Sequence, residues 1–202
     1  DWEVGSLPQW SLFAKFMQGR TLEETLELCA SLGFDRLALP AREGFALGGK
    51  GWEKRLPAVV SACKTAGLGL DLVLDESPAE LVKSRDALKA VADAGLREFR
   101  SGWIRWTPGS GPLQIDQAAS DLSALADACA DHGVRAVYQL HHGTMVSAAS
   151  LLSLMVRDTD PTSLGVMLDP GNQMFEGWES FEMQWELLAP WLAWVGVKDV
   201  RP

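Results

Sequence analysis

Polar side chains able to bind an anion, orient a ligand or move a proton recur in this sequence at one kind of position, the end of a short apolar run. Tyr138-Gln139-Leu140-His141-His142-Gly143 offers two imidazoles, the side chain whose ordinary pKa lies nearest neutrality and which serves as acid, base or metal ligand. Because the two histidines are adjacent at a strand end, alternation would turn only one of them toward a site. Asp169 ends the run SLGVMLD and precedes Pro170-Gly171-Asn172, so it reads either as a functional carboxylate or as a turn former. Glu176 adds a second acid in a stretch where a solvated loop carboxylate fits equally well. Lys198 and Asp199 close VGVKD and can pair with each other as a rim salt bridge. Arg42 and Arg100 carry the guanidinium fork that suits a carboxylate or a phosphate. Trp103 and Trp106 flank Arg105, an arrangement that can stack on a sugar ring or pack beneath a long loop. His132 is different: it stands just before Gly133, where it suits the C-terminal end of a helix.

A recurring unit places these residues: an amphipathic helix, a closing glycine, then a short apolar strand. It appears as CASLGFDRLAL, CKTAGLGLDLVL, VADAGLREFRSG and CADHGVRAVYQL, with Gly33, Gly67, Gly95 and Gly133 free to take the left-handed conformation that ends a helix. Thr21 to Glu24 and Ser77 to Glu80 are capping boxes, the second with Pro78 at the first helical position, and Pro57 can open a further helix. Apolar positions Leu22, Leu26 and Cys29, then Leu81, Leu88, Val91 and Ala92, then Leu122, Leu125, Ala126 and Cys129, each mark one face of a helix. Strands are expected near 11–16, 35–41, 68–75, 97–103, 134–141, 163–169 and 194–199, apolar throughout as buried parallel strands are.

Alternating strands and helices allow an open doubly wound sheet or a closed (βα) barrel. Polar residues at nearly every strand end favour the barrel, where those ends converge on one mouth. No glycine-rich phosphate fingerprint follows a strand: Gly48-Gly49-Lys50-Gly51 has the wrong spacing and setting. The expectation is therefore an α/β (βα)8 TIM-type barrel, residues 1–202 forming one domain. Seven strands are visible where such a barrel has eight, so the barrel is expected to be incomplete at its C-terminal end, through truncation, an open barrel or closure by a partner chain.

The 202 residues, 47% hydrophobic and 22% charged, suffice for one core without disulfides or structural metal. A net charge of -9 argues against nucleic acid, whose phosphates require clustered Lys and Arg. No apolar run is long enough to span a bilayer. Cys29, Cys63 and Cys129 lie on apolar helix faces without CxxC spacing, and packing in a reducing compartment, the cytoplasm, is the expectation. A chain that starts at Asp1 without Met is processed or a piece of something longer, so any N-terminal signal would have been removed from view.

The stretches YQLHHG, LDPGN with Glu176-Gly177, and VGVKD, together with GFDRLALPAR and FRSGWIRW, resemble the xylose-isomerase-like TIM barrels, the sugar phosphate isomerase/epimerase superfamily. That resemblance implies a divalent cation such as Mn²⁺ or Mg²⁺ at the barrel mouth, held by a Glu on strand five, an Asp on strand six, a His on strand seven and a Glu on strand eight. The two glutamates would move a proton beside a carbonyl that the metal polarises. Residue by residue, Asp169 matches the strand-six ligand and Gln139 stands at the strand-five position. Gly196 stands at the strand-seven position, the strand-eight position lies past Pro202, and Glu176 matches a family acid. Asn172 takes the place of a His found in many relatives.

Taken with the residues' own chemistry, the resemblance leads to an expected site in which Asp169 and Gln139 are metal ligands, Glu176, His141 and Lys198 are catalytic, and Arg42, Arg100, Trp103 and Asn172 bind a sugar or sugar phosphate; His141, Lys198, Arg42, Arg100 and Trp103 enter it from their own chemistry and position. Gln139 keeps an oxygen for a cation but cannot accept a proton as a base, and Gly196 has no side chain. Two functions follow: a metal-dependent isomerase or epimerase, and a ligand-binding barrel of the same family that has lost the chemistry. Apurinic-site endonuclease chemistry is disfavoured, since a multi-zinc site and a DNA groove do not fit three histidines and a charge of -9. No membrane partner is expected, and self-association as a homo-oligomer is possible.

Overall fold

The computed structural model describes residues 8–176 and 179–198. Its contacts divide the chain into two compact units, Asp1–Val73 and Leu74–Pro202. Seven strands alternating with helices, parallel to their partners within each unit, make this an α/β fold of the TIM-barrel class.

The first unit holds strands β1 (Ser11–Phe13), β2 (Arg36–Pro40) and β3 (Gly69–Val73), with helices α1 (Leu22–Ser31) and α2 (Trp52–Thr65). The Thr21 capping box forms as expected: Thr21 Oγ1 accepts from Glu24 N–H at 3.2 Å while the Glu24 carboxylate accepts from Thr21 N–H at 2.8 Å. Leu26 and Cys29 are buried, and Gly33 at φ 77° turns the chain out of the helix toward β2. β1 is shorter than the expected 11–16. It gives way at Ala14–Phe16 to a 3-10 turn closed by Met17 N–H on Ala14 O at 2.8 Å, which buries Ala14 and leaves Phe16 in solvent.

Pro57 does not open a helix. α2 starts at Trp52 behind Gly51, whose φ is 78°, because Trp52 and Leu56 are both buried and anchor its first turn. Arg55 fastens the preceding loop through the carbonyls of Leu47, Gly49 and Lys50. Pro57 falls in the second turn, where its missing N–H forfeits one bond toward the first turn. Arg36, at the start of β2, is paired with the buried Asp71 of β3 at 2.6 Å. Gly69 leaves the room, since a Cβ there would lie 2.4 Å from the Arg36 guanidinium.

The second unit holds β4 (Glu98–Arg100), β5 (Arg135–Gln139), β6 (Leu164–Leu168) and β7 (Leu192–Val195), with α3 (Pro78–Lys83), α4 (Arg85–Asp93), α5 (Gly111–His132), α6 (Ala149–Val156), α7 (Pro170–Glu176) and α8 (Phe181–Leu188). The single helix expected through Leu81 and Val91 is broken at Ser84 (φ -99°, ψ 65°), a residue whose hydroxyl competes for backbone bonds. Strands β5 and β6 are almost wholly buried, whereas β7 is half-buried and meets β6 through a register shift between Val166 and Met167. β7 therefore ends at Val195, short of the expected 199, and Asp199 lies outside the described residues. Arg135 pairs with Glu98 at 3.1 Å across the starts of β5 and β4.

All three cysteines are buried and unbridged, which agrees with their reading as packing residues. Burial pushes the Cys63 thiol up to about 11 and the Cys129 thiol up to about 12. His132 donates from Nδ1 to Ala128 O at 2.8 Å in the last turn of α5, as its sequence position suggests. No described helix is long and apolar enough to cross a membrane.

Candidate functional site

The C-terminal ends of β4, β5, β6 and β7 bring one row of polar side chains together inside the second unit. Arg100 ends β4, Gln139 ends β5, Asp169 follows β6 and opens the turn into α7, and Lys198 follows β7. Arg100, Gln139 and Asp169 are buried, with 4%, 6% and 3% of their surface exposed. The Arg100 guanidinium donates to Gln139 Oε1. The amide of Gln139 then donates from Nε2 to Asp169 Oδ2 at 2.6 Å. The other carboxylate oxygen, Asp169 Oδ1, accepts from the backbone N–H of Asn172 at 2.9 Å and faces Lys198 Nζ at 3.2 Å.

Asn172, 1% exposed, is the hub that locks this row to the loop after β5. Its Nδ2 donates to Leu140 O at 3.1 Å, which leaves Oδ1 as the acceptor for both Lys198 Nζ and His142 Nδ1. Nδ1 of His142 thus carries the proton, an assignment that follows from the bonding network. His141 Nδ1 donates to His142 O at 2.7 Å, so its Nε2 holds a lone pair. Burial holds His141 below the ordinary histidine range, assisted by the neighbouring His142 and Lys198 charges against the opposing pull of the His142 carbonyl and Asp169.

The two histidines do not diverge as strand alternation would require. β5 ends at Gln139, so both lie past the pleat, and their rings stack 4.5 Å apart at 24°. Trp103 lies 4.4 Å from His141, Phe175 lies 4.6 Å from His142, and Arg100 Cζ sits 4.7 Å over the Trp103 ring. Phe175 leaves no trace of its place in this stack in the spacing of the sequence. Nor does that spacing show Tyr138, whose buried phenol oxygen accepts from Ile104 N–H at 3.2 Å and fixes the path of the Trp103 segment. Burial pushes that phenol up to about 12, so it stays neutral.

Of the residues proposed from sequence, Gln139, Asp169, Asn172, Arg100, Lys198, Trp103 and His141 share this corner of the second unit. Glu176 is exposed and accepts from Gly143 N–H at 2.9 Å, a contact with the loop backbone outside the row. Arg42 follows β2 in the first unit and is half-buried. Lys198 pairs with Asp169 at 3.2 Å, and the expected pair of Lys198 with Asp199 falls on a residue outside the described ones. Trp106 is exposed, whereas Trp103 is half-buried within the stack.

The expected metal ligands do not fit a divalent cation here. Asp169 and Gln139 are bonded to each other, through the Gln139 N–H and not its oxygen. The carboxylate's second oxygen is taken by a backbone N–H and an ammonium. A hard dication needs several oxygens, preferably anionic, and would stand here beside two fixed positive charges. Among the described residues no group of three or more His, Cys, Asp or Glu side chains is close enough to hold a metal. Gly196 supplies no side chain, and a Cβ there would crowd the Asp169 carboxylate at 3.1 Å and Met167 Cε at 2.9 Å.

The sequence pattern of the family described as xylose isomerase-like TIM barrel matches residues 26–202. The chain belongs to that family. Solved structures share the fold: a D-psicose 3-epimerase determined in the presence of D-fructose superposes with a TM-score of 0.72 at 16% identity, covering 93% of this chain and 72% of that one. A 3-keto-D-glucoside 4-epimerase from E. coli gives 0.73 at 14% identity, covering 93% and 78%. A xylose isomerase domain protein from Planctomyces limnophilus gives 0.70 at 15% identity, covering 96% and 75%. Among curated proteins, inosose dehydratase of Geobacillus kaustophilus (strain HTA426) is 26% identical over 110 residues, half of this chain and 35% of that one. The chain thus matches about a third of the length of that curated relative.

Proposed function

We propose that this chain binds a sugar or sugar-derived ligand, free or phosphorylated, at the strand ends of its second unit, and does so without a divalent metal on Asp169 and Gln139. The observation that carries this reading is the closed hydrogen-bonding of Asp169, whose two oxygens are spent on Gln139, Asn172 and Lys198. The Lys198 ammonium, seated on Asp169 at 3.2 Å and partly exposed, offers a positive charge that suits a phosphate, a carboxylate or an electron-rich carbonyl oxygen. The stacked Trp103 and His141 rings supply an apolar face of the kind that packs on a sugar ring. The metal-assisted isomerase expected from sequence would need those same oxygens free.

A second reading, isomerase or epimerase chemistry without that metal, is favoured by His141. Its tautomer is fixed with the lone pair on Nε2, and burial keeps the ring neutral, which is the state of a general base. Calorimetric titration with ketoses and ketose phosphates, in EDTA and then with Mn²⁺, tests the proposal. The same affinity in both is expected; binding that appears only with Mn²⁺ contradicts it. Solvent deuterium appearing at the substrate carbon in EDTA would establish the second reading.

A further inference from the structure

We infer that the Lys198 ammonium is itself the cation of this site, a protein-borne charge seated between Asp169 and Asn172 where it can donate to a ligand carbonyl or enediolate oxygen. The inference rests on the metal-free reading above and deepens it by naming the group that meets the ligand's oxygen. Lys198 Nζ faces Asp169 Oδ1 at 3.2 Å and donates to Asn172 Oδ1. Both oxygens are held in place independently of the lysine. Asp169 is fixed by Gln139 Nε2 at 2.6 Å and Asn172 N–H at 2.9 Å, and Asn172 by Leu140 O at 3.1 Å and His142 at 2.9 Å. A carboxylate and an amide oxygen converging from two buried, pre-oriented side chains form a cation seat.

An ammonium carries three donors, and two of them face Asp169 and Asn172. The third is left for a ligand, and the side chain is 39% exposed, so solvent and ligand can reach it. Arg100 stands at the far end of the row, donating to Gln139, which in turn donates to Asp169. A carbonyl oxygen meeting Lys198 is polarised by a fixed positive charge in a partly desolvated place, where such a charge acts more strongly than in water. The seat and the lysine exclude a metal by the same contacts: a dication could take Asp169 Oδ1 and Asn172 Oδ1 only if the ammonium left.

Lys198→Met removes the charge while keeping the apolar stem, and the partly exposed position makes misfolding an unneeded worry; circular dichroism verifies the fold. Free Mn²⁺, followed by electron paramagnetic resonance, is titrated against the parent protein, Lys198→Met, and Lys198→Met combined with Asp169→Asn. At least a tenfold gain in Mn²⁺ affinity in the single variant, reversed in the double, is expected. Equal Mn²⁺ affinity in parent and single variant, whether tight or absent, overturns the inference, because the lysine would then not be holding the seat. A gain that survives Asp169→Asn overturns it as well, since the ion would sit elsewhere. These readings need no sugar: a ketose panel that fails to bind would reject the proposed function while leaving the lysine's place decided by the Mn²⁺ titration alone.

Discussion

Asn172 shows how much of the site hangs on one neutral side chain. It accepts from Lys198 and His142, donates to Leu140 O, and gives its backbone N–H to Asp169, all at 1% exposure. Asn172→Ala keeps the backbone bond but strips partners from a half-buried imidazole N–H, a buried carbonyl and a partly exposed ammonium, and a buried group left unsatisfied costs about 1–3 kcal/mol. A loss of about 2–3 kcal/mol in denaturant unfolding is expected, together with a weaker ketose titration. Stability within about 0.5 kcal/mol of the parent, the range of ordinary surface changes, would show that the hub is replaceable. The residue types in this corner were legible in the sequence because chemistry-bearing side chains clustered after apolar runs. Their partners were not: Lys198 and Asp169 are 29 positions apart in sequence, and the parallel packing of β6 and β7 brings them within 3.2 Å. His141 and His142 misled for a related reason, since the alternation rule stops where β5 stops.

At the scale of elements, local signals were read well where their physics is local. Gly33, Gly67, Gly95 and Gly133 all close helices with positive φ, at 77°, 73°, 77° and 65°. Both capping boxes form. Pro57 and the Ser84 break escaped because tertiary anchoring by Trp52 and Leu56, and a change of direction inside an unbroken apolar pattern, leave little trace in spacing. Glu80 gives the second box a pH dependence. Side-chain and backbone hydrogen bonds from Ser77 hold its carboxyl below the usual range, so the stabilisation is complete above the unfolded value of about 4.3 and is lost as pH falls through the lower folded value. The denaturation midpoint should therefore drop below about pH 4 less steeply in Glu80→Gln than in the parent; parallel profiles would contradict this role. Gly102 is an element-level constraint too. A Cβ there would lie 2.0 Å from Asp75 O and 2.8 Å from Glu76 O, both backbone atoms that cannot swing aside. Gly102→Ala is expected to cost about 3 kcal/mol or more in denaturant unfolding and to displace Trp103 from the His141 ring. A variant as stable as the parent would mean that the 75–76 backbone can yield.

On the scale of the whole molecule, the α/β TIM-barrel class and the family were legible from the repeated helix, glycine and strand, and from polar residues gathered at strand ends. What the sequence could not carry was the state of the metal position. Read by correspondence alone, Asp169 and Gln139 are ligands; placed in the fold, they bond to each other and share the row with Arg100 and Lys198. On the metal-free reading proposed above, this chain keeps the family's strand ends and acidic position while the cation beside that acid is a side chain. A crystal structure grown in Mn²⁺, with diffraction collected at the manganese edge, tests this most directly. The account predicts no anomalous peak beside Asp169 and Lys198 Nζ within hydrogen-bonding distance of Asp169 and Asn172. A manganese peak bonded to Asp169 and Gln139, with the lysine turned away, would contradict it.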